Sequence, residues 1–185
     1  MITSFRLPQL ITTPLTFKRR ECLPIDQAAL WRIESGAVRT LTFTEDGGIV
    51  TLGFWGAGDA IGSALSQIQP YQIECLTAVT AVAVSTHSAD VLTPALFAHV
   101  QQVEELLRVR QGQIRKRLMQ LFHWLAYKFG QPNEQGQRIE LCLTHQDLAD
   151  VVGTTRVTIT RLIKLFEQEG IIDWSERYCV LLDRK

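Results

Sequence analysis

Leu143–Gly170, LTHQDLADVVGTTRVTITRLIKLFEQEG, reads as two short helices around a glycine turn. With about 100° of rotation per residue counted from Arg156, Ile159, Leu162, Ile163 and Phe166 fall between roughly 240° and 340°. Arg156, Val157, Thr160, Arg161 and Lys164 fall between roughly 0° and 140°. One face is built to bury. The other offers two guanidinium forks, hydroxyls, methyl groups and an amine, the profile of a helix laid in a DNA major groove. In the preceding helix Thr144 is a good N-cap, with Asp147 placed to close a capping box. Leu148, Val151 and Val152 supply its apolar face, and Gly153 permits the positive φ of a tight turn. Thr154 or Thr155 caps the second helix, leaving backbone N–H groups and a hydroxyl for a phosphate. An ordinary αα-hairpin would explain the amphipathicity. It would not explain two arginines, a lysine and a threonine on one face.

Within this stretch Gly153–Arg161, GTTRVTITR, resembles the helix-turn-helix signature of the CRP/FNR family of transcription regulators. Its TRVTxTR form is similar to that of the cyanobacterial global nitrogen regulator group. The resemblance implies a two-fold homodimer on a palindromic operator in double-stranded DNA, with RNA polymerase as a further partner and a small molecule as a possible effector. It places Arg156 on a guanine and Arg161 on a guanine or the backbone. Thr144 and Gln146 fall where relatives touch phosphates, and Thr154, Thr155, Thr158, Thr160 and Lys164 complete the expected DNA surface. Many family members carry glutamate directly after the first arginine, whereas this chain has Val157. Valine cannot accept from cytosine N4 but packs on a thymine methyl, so the half-site is expected to be GTA-like rather than GTGA-like.

At 185 residues with 46% hydrophobic content, the chain has room for one or two cored domains. Formal net charge is zero, which for a DNA binder directs attention to local charge. From Leu107 to Lys128 there are six basic residues and no acidic ones: Arg108, Arg110, Arg115, Lys116, Arg117 and Lys128. Such a run is either a solvated face or a phosphate contact. Cys22, Cys75, Cys142 and Cys179 are scattered without CxxC pairing and read as reduced cytoplasmic thiols. Some relatives hold an iron–sulfur cluster on clustered N-terminal cysteines, and only Cys22 lies in that region. His87, His99, His123 and His145 share no metal-ligand spacing, so neither metal nor cofactor is expected. The N-terminus lacks a basic region followed by a continuous apolar run, and no stretch approaches membrane-spanning length.

The N-terminal half reads as β. Leu30–Val38 is a strand broken at Ser35-Gly36, Arg39–Thr44 follows, Glu45–Gly48 is a hairpin turn, and Ile49–Trp55 returns. Gly56, Gly58 and Gly62 punctuate the next turns, and Ile73–Val84 supplies two more strands. This order resembles the family's double-stranded β-helix (jelly-roll) sensor domain, with LWRIESGAVRT and GAGDAIG as the matching segments. The first 25 or so residues are less recognisable. Cyclic-nucleotide-binding members carry an acidic residue after GDxxG and an Arg-Ser or Arg-Thr pair before an A-x-T strand. Here Ser63 stands at the first position and Gln72-Ile73 at the second, ahead of Ala78-Val79-Thr80. Without that arginine no fork meets a cyclic phosphate, so tight cyclic AMP binding is not expected. Trp31, Phe54 and Trp55 are read as core side chains filling the roll.

A long helical segment, about Thr93 to Gly130, links the halves. Thr93 is read as its cap with Pro94 at the first helical position. Leu96, Val100, Val103 and Leu107 advance in four-three steps like a coiled-coil seam, and the resemblance makes them the dimerisation face. Gly112 is a hinge. Ile114, Leu118, Leu121 and Leu125 then begin the DNA-binding domain, Gln131–Gln137 reads as a polar loop, and Ile139–Leu143 as a strand. Ile171–Leu182 is a β-wing tipped by Glu176-Arg177. The expected chain is α+β: a sensor-like β-roll over 1–92, a dimerisation helix and hinge over 93–111, and a winged helix-turn-helix over 112–185. A cupin-like β-barrel enzyme with a helical appendage is the alternative, but it needs clustered metal-ligating histidines on strands, and only His87 lies there.

Overall fold

The computed structural model describes residues 13–175 and 177–183. The chain divides into two compact units, Met1–Glu104 and Glu105–Lys185. The first is built from strands β1 (Leu15–Phe17), β2 (Ala29–Ser35), β3 (Val38–Phe43), β4 (Ile49–Trp55), β5 (Ala60–Ile61), β6 (Gln72–Cys75) and β7 (Val79–Ser85). They form two antiparallel sheets, ordered β1-β7-β2-β5 and β4-β3-β6. Residues of both sheets meet in one core that includes Trp31, Ile33, Val38, Trp55, Ile61, Ile73 and Val79. Trp31, Phe54 and Trp55 are buried, as expected of core side chains. The short β1 and β5 have no distinct signal in the sequence; each is held by its pairing with a longer neighbour.

The β2–β3 connection turns at Gly36, with φ +85°. A Cβ there would stand 2.1 Å from the Ala78 carbonyl oxygen. Backbone conformation and lack of space both therefore demand glycine.

Helix α1 (Ala89–Val109) begins earlier than the expected Thr93 cap, so Pro94 lies inside it. The Ser88 carbonyl accepts from Val91 and Leu92 N–H, at 3.1 and 2.9 Å, and this starts the helix one turn upstream. Proline then omits one intrahelical bond rather than opening the helix. On its inner side, buried Gln102 accepts the Phe54 N–H at 2.9 Å, and His99 lies against Trp55 with ring centroids 4.3 Å apart. Gly112, at φ +87°, separates α1 from α2 (Ile114–Phe129).

The second unit continues through β8 (Gly130–Asn133), β9 (Gly136–Ile139), α3 (His145–Val152), α4 (Arg156–Gln168), β10 (Ile172–Trp174) and β11 (Cys179–Leu182). Its sheet runs β10-β11-β9-β8. The expected polar loop at 131–137 is instead a hairpin, and the strand expected at 139–143 ends at Ile139. The Asn133 side chain makes the turn, accepting from Gln135 and Gly136 N–H at 3.0 and 2.8 Å. Pro132 is tolerated because β8 is an edge strand. β10 and β11 form the wing; Glu176, at its expected tip, lies outside the described residues. Leu118, Leu121, Phe122, Leu125, Leu148, Val152, Ile159, Ile163 and Phe166 are buried in this unit. Among the described residues, no helix is long and apolar enough to cross a membrane.

Gly36→Ala is expected to destabilise the β unit by about 2 kcal/mol or more, since it adds strain and a backbone clash together. Urea denaturation should show a lowered midpoint; an unchanged midpoint would mean that this turn relaxes freely.

Candidate nucleic-acid interface

The helix pair is framed by local chemistry. Thr144 caps α3 in a reciprocal capping box: its hydroxyl accepts the Asp147 N–H at 3.1 Å, and the Asp147 carboxylate accepts the Thr144 N–H at 2.7 Å. Gly153, at φ +72°, closes α3 in the left-handed conformation and turns the chain. Thr155, rather than Thr154, caps α4 by accepting the Thr158 N–H at 3.2 Å. The cap takes up the Thr158 amide at the positive end of the helix.

Helix α4 is divided by face. Ile159, Ile163 and Phe166 are buried, while Arg156, Val157, Arg161 and Lys164 are exposed. Val157 is 60% exposed, an uncovered apolar side chain between two arginines. Thr154 and Thr158 are half-buried. Not every expected contact residue is equally available. The Thr144 hydroxyl donates to Asp147 Oδ2 at 2.8 Å, and the Gln146 amide donates to Asp150 Oδ1 at 2.7 Å. Thr160, half-buried, donates to the Arg156 carbonyl at 2.9 Å and faces His145 Nδ1, also at 2.9 Å.

That last contact involves a residue that periodicity does not single out. His145 opens α3, reaches across to α4 through Thr160, and rests against Trp174 of the wing with centroids 5.4 Å apart. With the Thr160 proton directed to the Arg156 carbonyl, His145 acts as the donor through Nδ1–H. Burial holds its pKa below the ordinary value, the Arg156 guanidinium adds to this, and Glu167 opposes it.

Much of the basic run is engaged inside its own unit or along its own helix. Arg110 Nε donates to the Val151 carbonyl and Arg117 Nη1 to the Val152 carbonyl, each at 3.2 Å. These satisfy the last carbonyls of α3. Arg115 pairs with Glu169 at 3.1 Å and lies 4.9 Å over the Phe166 ring, while Arg108 pairs with Glu105.

The β unit has a groove of its own. About 490 Å³ in volume, it is lined by Leu52, Trp55, Ile68, Tyr71, Leu96, His99 and Val100 among others, with no lysine or arginine among the described residues that line it. Burial raises the Tyr71 phenol well above its usual range. Ser63 and Ile73 are buried and Gln72 is half-buried. Arg39, buried in the roll, is ion-paired to Glu74 at 2.6 Å. Along α1, Leu96, Val100, Val103 and Leu107 are exposed by 49, 54, 53 and 60%, and Phe97, not among the expected seam residues, by 68%. Among the described residues no three His, Cys, Asp or Glu side chains gather as a metal-binding group. Burial pushes the Cys75 and Cys179 thiols up to about 12, which keeps them protonated.

Residues 116–185 match the Crp-like helix-turn-helix domain. The regulatory protein CysR of Synechococcus elongatus is 40% identical over 177 residues, spanning 90% of this chain and 82% of that protein. The global nitrogen regulator of the same organism is 32% identical over 85 residues, 45% of this chain and 38% of that one. The crystal structure of a CRP-family transcriptional regulator from Thermus thermophilus superimposes with a TM-score of 0.76 at 23% identity, covering 91% of this chain and 92% of the other.

The depressed His145 pKa has a consequence for stability. The unfolded chain takes up this proton near about pH 6.5, before the folded chain does. Stability is therefore full above that value and falls as pH drops toward the lower folded pKa. Calorimetric melts between about pH 8 and 5 should show the decline, with a shallower one in His145→Gln. Identical slopes in the two proteins would remove His145 as the cause.

Proposed function

Because this chain belongs to the CRP/FNR family of DNA-binding transcription regulators, we propose that it acts in the cytoplasm as a homodimer on a palindromic operator with GTA-like half-sites, independently of cyclic AMP. The carrying observation is the exposed face of α4, where Arg156, Val157 and Arg161 stand clear of a buried Ile159–Ile163–Phe166 face. In this reading Arg156 takes guanine O6 and N7, Val157 packs on a thymine methyl, and Arg161 holds a guanine or a phosphate. Lys164, Thr154, Thr155 and Thr158 lie beside them for backbone contacts. Gln146 reaches a phosphate by leaving Asp150. Thr144 contributes chiefly through the cap it forms, and Thr160 through its hold on the Arg156 peptide.

The exposed seam on α1 supports pairing with a second copy, Phe97 included, because burying such a stripe removes a large apolar area from water. RNA polymerase is the further partner that the family reading brings. The roll groove is the place for an effector, and its lining argues for a largely apolar molecule over a cyclic nucleotide, since no cation there faces a phosphate. The cupin-like enzyme reading needs metal-ligating histidines in the roll, and family membership assigns the chain to regulators instead.

Arg156→Ala is expected to cost about 1–3 kcal/mol of operator binding and to relax preference at one base of each half-site. Fluorescence anisotropy against palindromic GTA and scrambled duplexes measures both, and retained specificity would mean another face reads the bases. Val157→Glu should move preference toward GTGA by supplying an acceptor for cytosine N4. A native preference for GTGA in a base-by-base operator scan would overturn the half-site assignment. In calorimetry, cyclic AMP should give no binding at micromolar concentrations.

A further inference from the structure

We propose that His145 positions the recognition helix and that DNA binding is coupled to proton uptake on its ring. The inference rests on the reading of α4 as the DNA-contacting helix and adds a form of regulation to that site.

The geometry is a three-part link. His145 Nδ1 stands 2.9 Å from Thr160 Oγ1, and Thr160 donates to the Arg156 carbonyl at 2.9 Å. The ring also rests against Trp174, at 5.4 Å between centroids. One imidazole thus touches all three parts of the motif: it opens α3, fixes the first turn of α4 and leans on the wing. Arg156, the side chain assigned to guanine, projects from the residue whose carbonyl ends this link. A change in the ring's position is passed to the base-reading fork through two hydrogen bonds.

The charges around the ring set the direction of coupling. From α4, Arg156 opposes a positive imidazole and Glu167 favours it. From the wing, Trp174 contributes a neutral ring. From its own helix, Gln146 is neutral and the Asp147 carboxylate is held by the Thr144 cap. As the first residue of α3, His145 also feels the positive end of that helix. In the unbound protein burial and Arg156 favour the neutral ring, which donates through Nδ1. DNA changes the balance: while Arg156 hydrogen-bonds guanine, the backbone phosphates around it offset the opposing charge and make the local potential more negative. The Nδ1 donor is the same in neutral and cationic rings, so the proton enters at Nε2 without breaking the link to Thr160. DNA therefore binds the protonated protein more tightly, while the same proton destabilises the protein free of DNA.

The test is the pH dependence of DNA affinity for the full chain, followed by anisotropy between about pH 7.5 and 5.5 at constant ionic strength. Two labelled duplexes are used, one with palindromic GTA half-sites and one scrambled. Wild-type affinity for the palindrome should rise as pH falls, by about tenfold per protomer for each unit by which DNA raises the ring's pKa. His145→Gln should flatten that rise. Thr160→Val keeps the titrating ring but breaks the link, so it should retain the rise and lose discrimination between the duplexes. As a check that needs no variant, the His145 ring resonances of the wild type should titrate at higher pH in the complex than in the free protein. Equal pH slopes in wild type and His145→Gln, or equal titration in free and bound protein, would overturn the coupling. Undiminished discrimination in Thr160→Val would overturn the positioning role. Failure of the wild type to prefer the palindrome at any pH would instead overturn the assignment of α4, and this inference with it.

Discussion

A helix that ends inside a folded unit leaves carbonyl groups in need of donors, and the end of α3 is where this constraint organises the second unit. Gly153 turns the chain left-handed, and its N–H, with that of Thr154, returns to the Ala149 carbonyl at 3.0 Å. The Val151 and Val152 carbonyls are met from outside the helix pair by Arg110 and Arg117. Three segments thereby converge on one turn, and the direction in which α4 leaves it follows. With α4 so aimed, its Phe166 ring meets Phe122, which in turn lies against Trp174. Its polar side is left in the open.

The helix pair was legible from the sequence because its determinants are local. Thr144 and Asp147 are one capping box apart, Gly153 sits at the only glycine between the helices, and a 3.6-residue period separates Ile159 and Ile163 from Arg156 and Arg161. The β-roll strands were legible for similar reasons, through alternation and the turns at Gly36 and Gly47. Features that depend on distant partners were not. Nothing near Arg117 announces a carbonyl supplied by Val152, so the basic run invited either solvent or phosphate as its purpose. The β8–β9 hairpin hid behind polar composition, since an edge pair covered on one side carries little apolar signal. Pro94 misled because proline is common at helix starts, while here Ser88 provides the start a turn earlier.

Within the interface, the expected contact residues divide into those that face outward and those that hold the outward ones in place. Arg156, Val157, Arg161 and Lys164 are of the first kind. Thr144 and Thr160 have hydroxyls tied to neighbouring groups and are of the second, while exposed Thr155 both caps the helix and faces outward. Periodicity assigns residues to a face and cannot tell which hydroxyls on that face already have partners. His145 belongs with the second group, and only its contact with Thr160 reveals it.

The internal use of Arg108, Arg110, Arg115 and Arg117 bears on how such a regulator behaves among genomic DNA. Arg108 and Arg115 are each paired with a carboxylate, Glu105 and Glu169, and so add little to indiscriminate phosphate contact, whereas Arg110 and Arg117 keep their charge but are held in place by neutral carbonyls. Under the proposed function, the run from Leu107 to Lys128 would then release fewer counterions on an arbitrary sequence than its six cations would give if all were free, and the salt dependence would be correspondingly shallower. Occupancy of the proposed operator would accordingly rest more on base recognition by the exposed face of α4 than on this run.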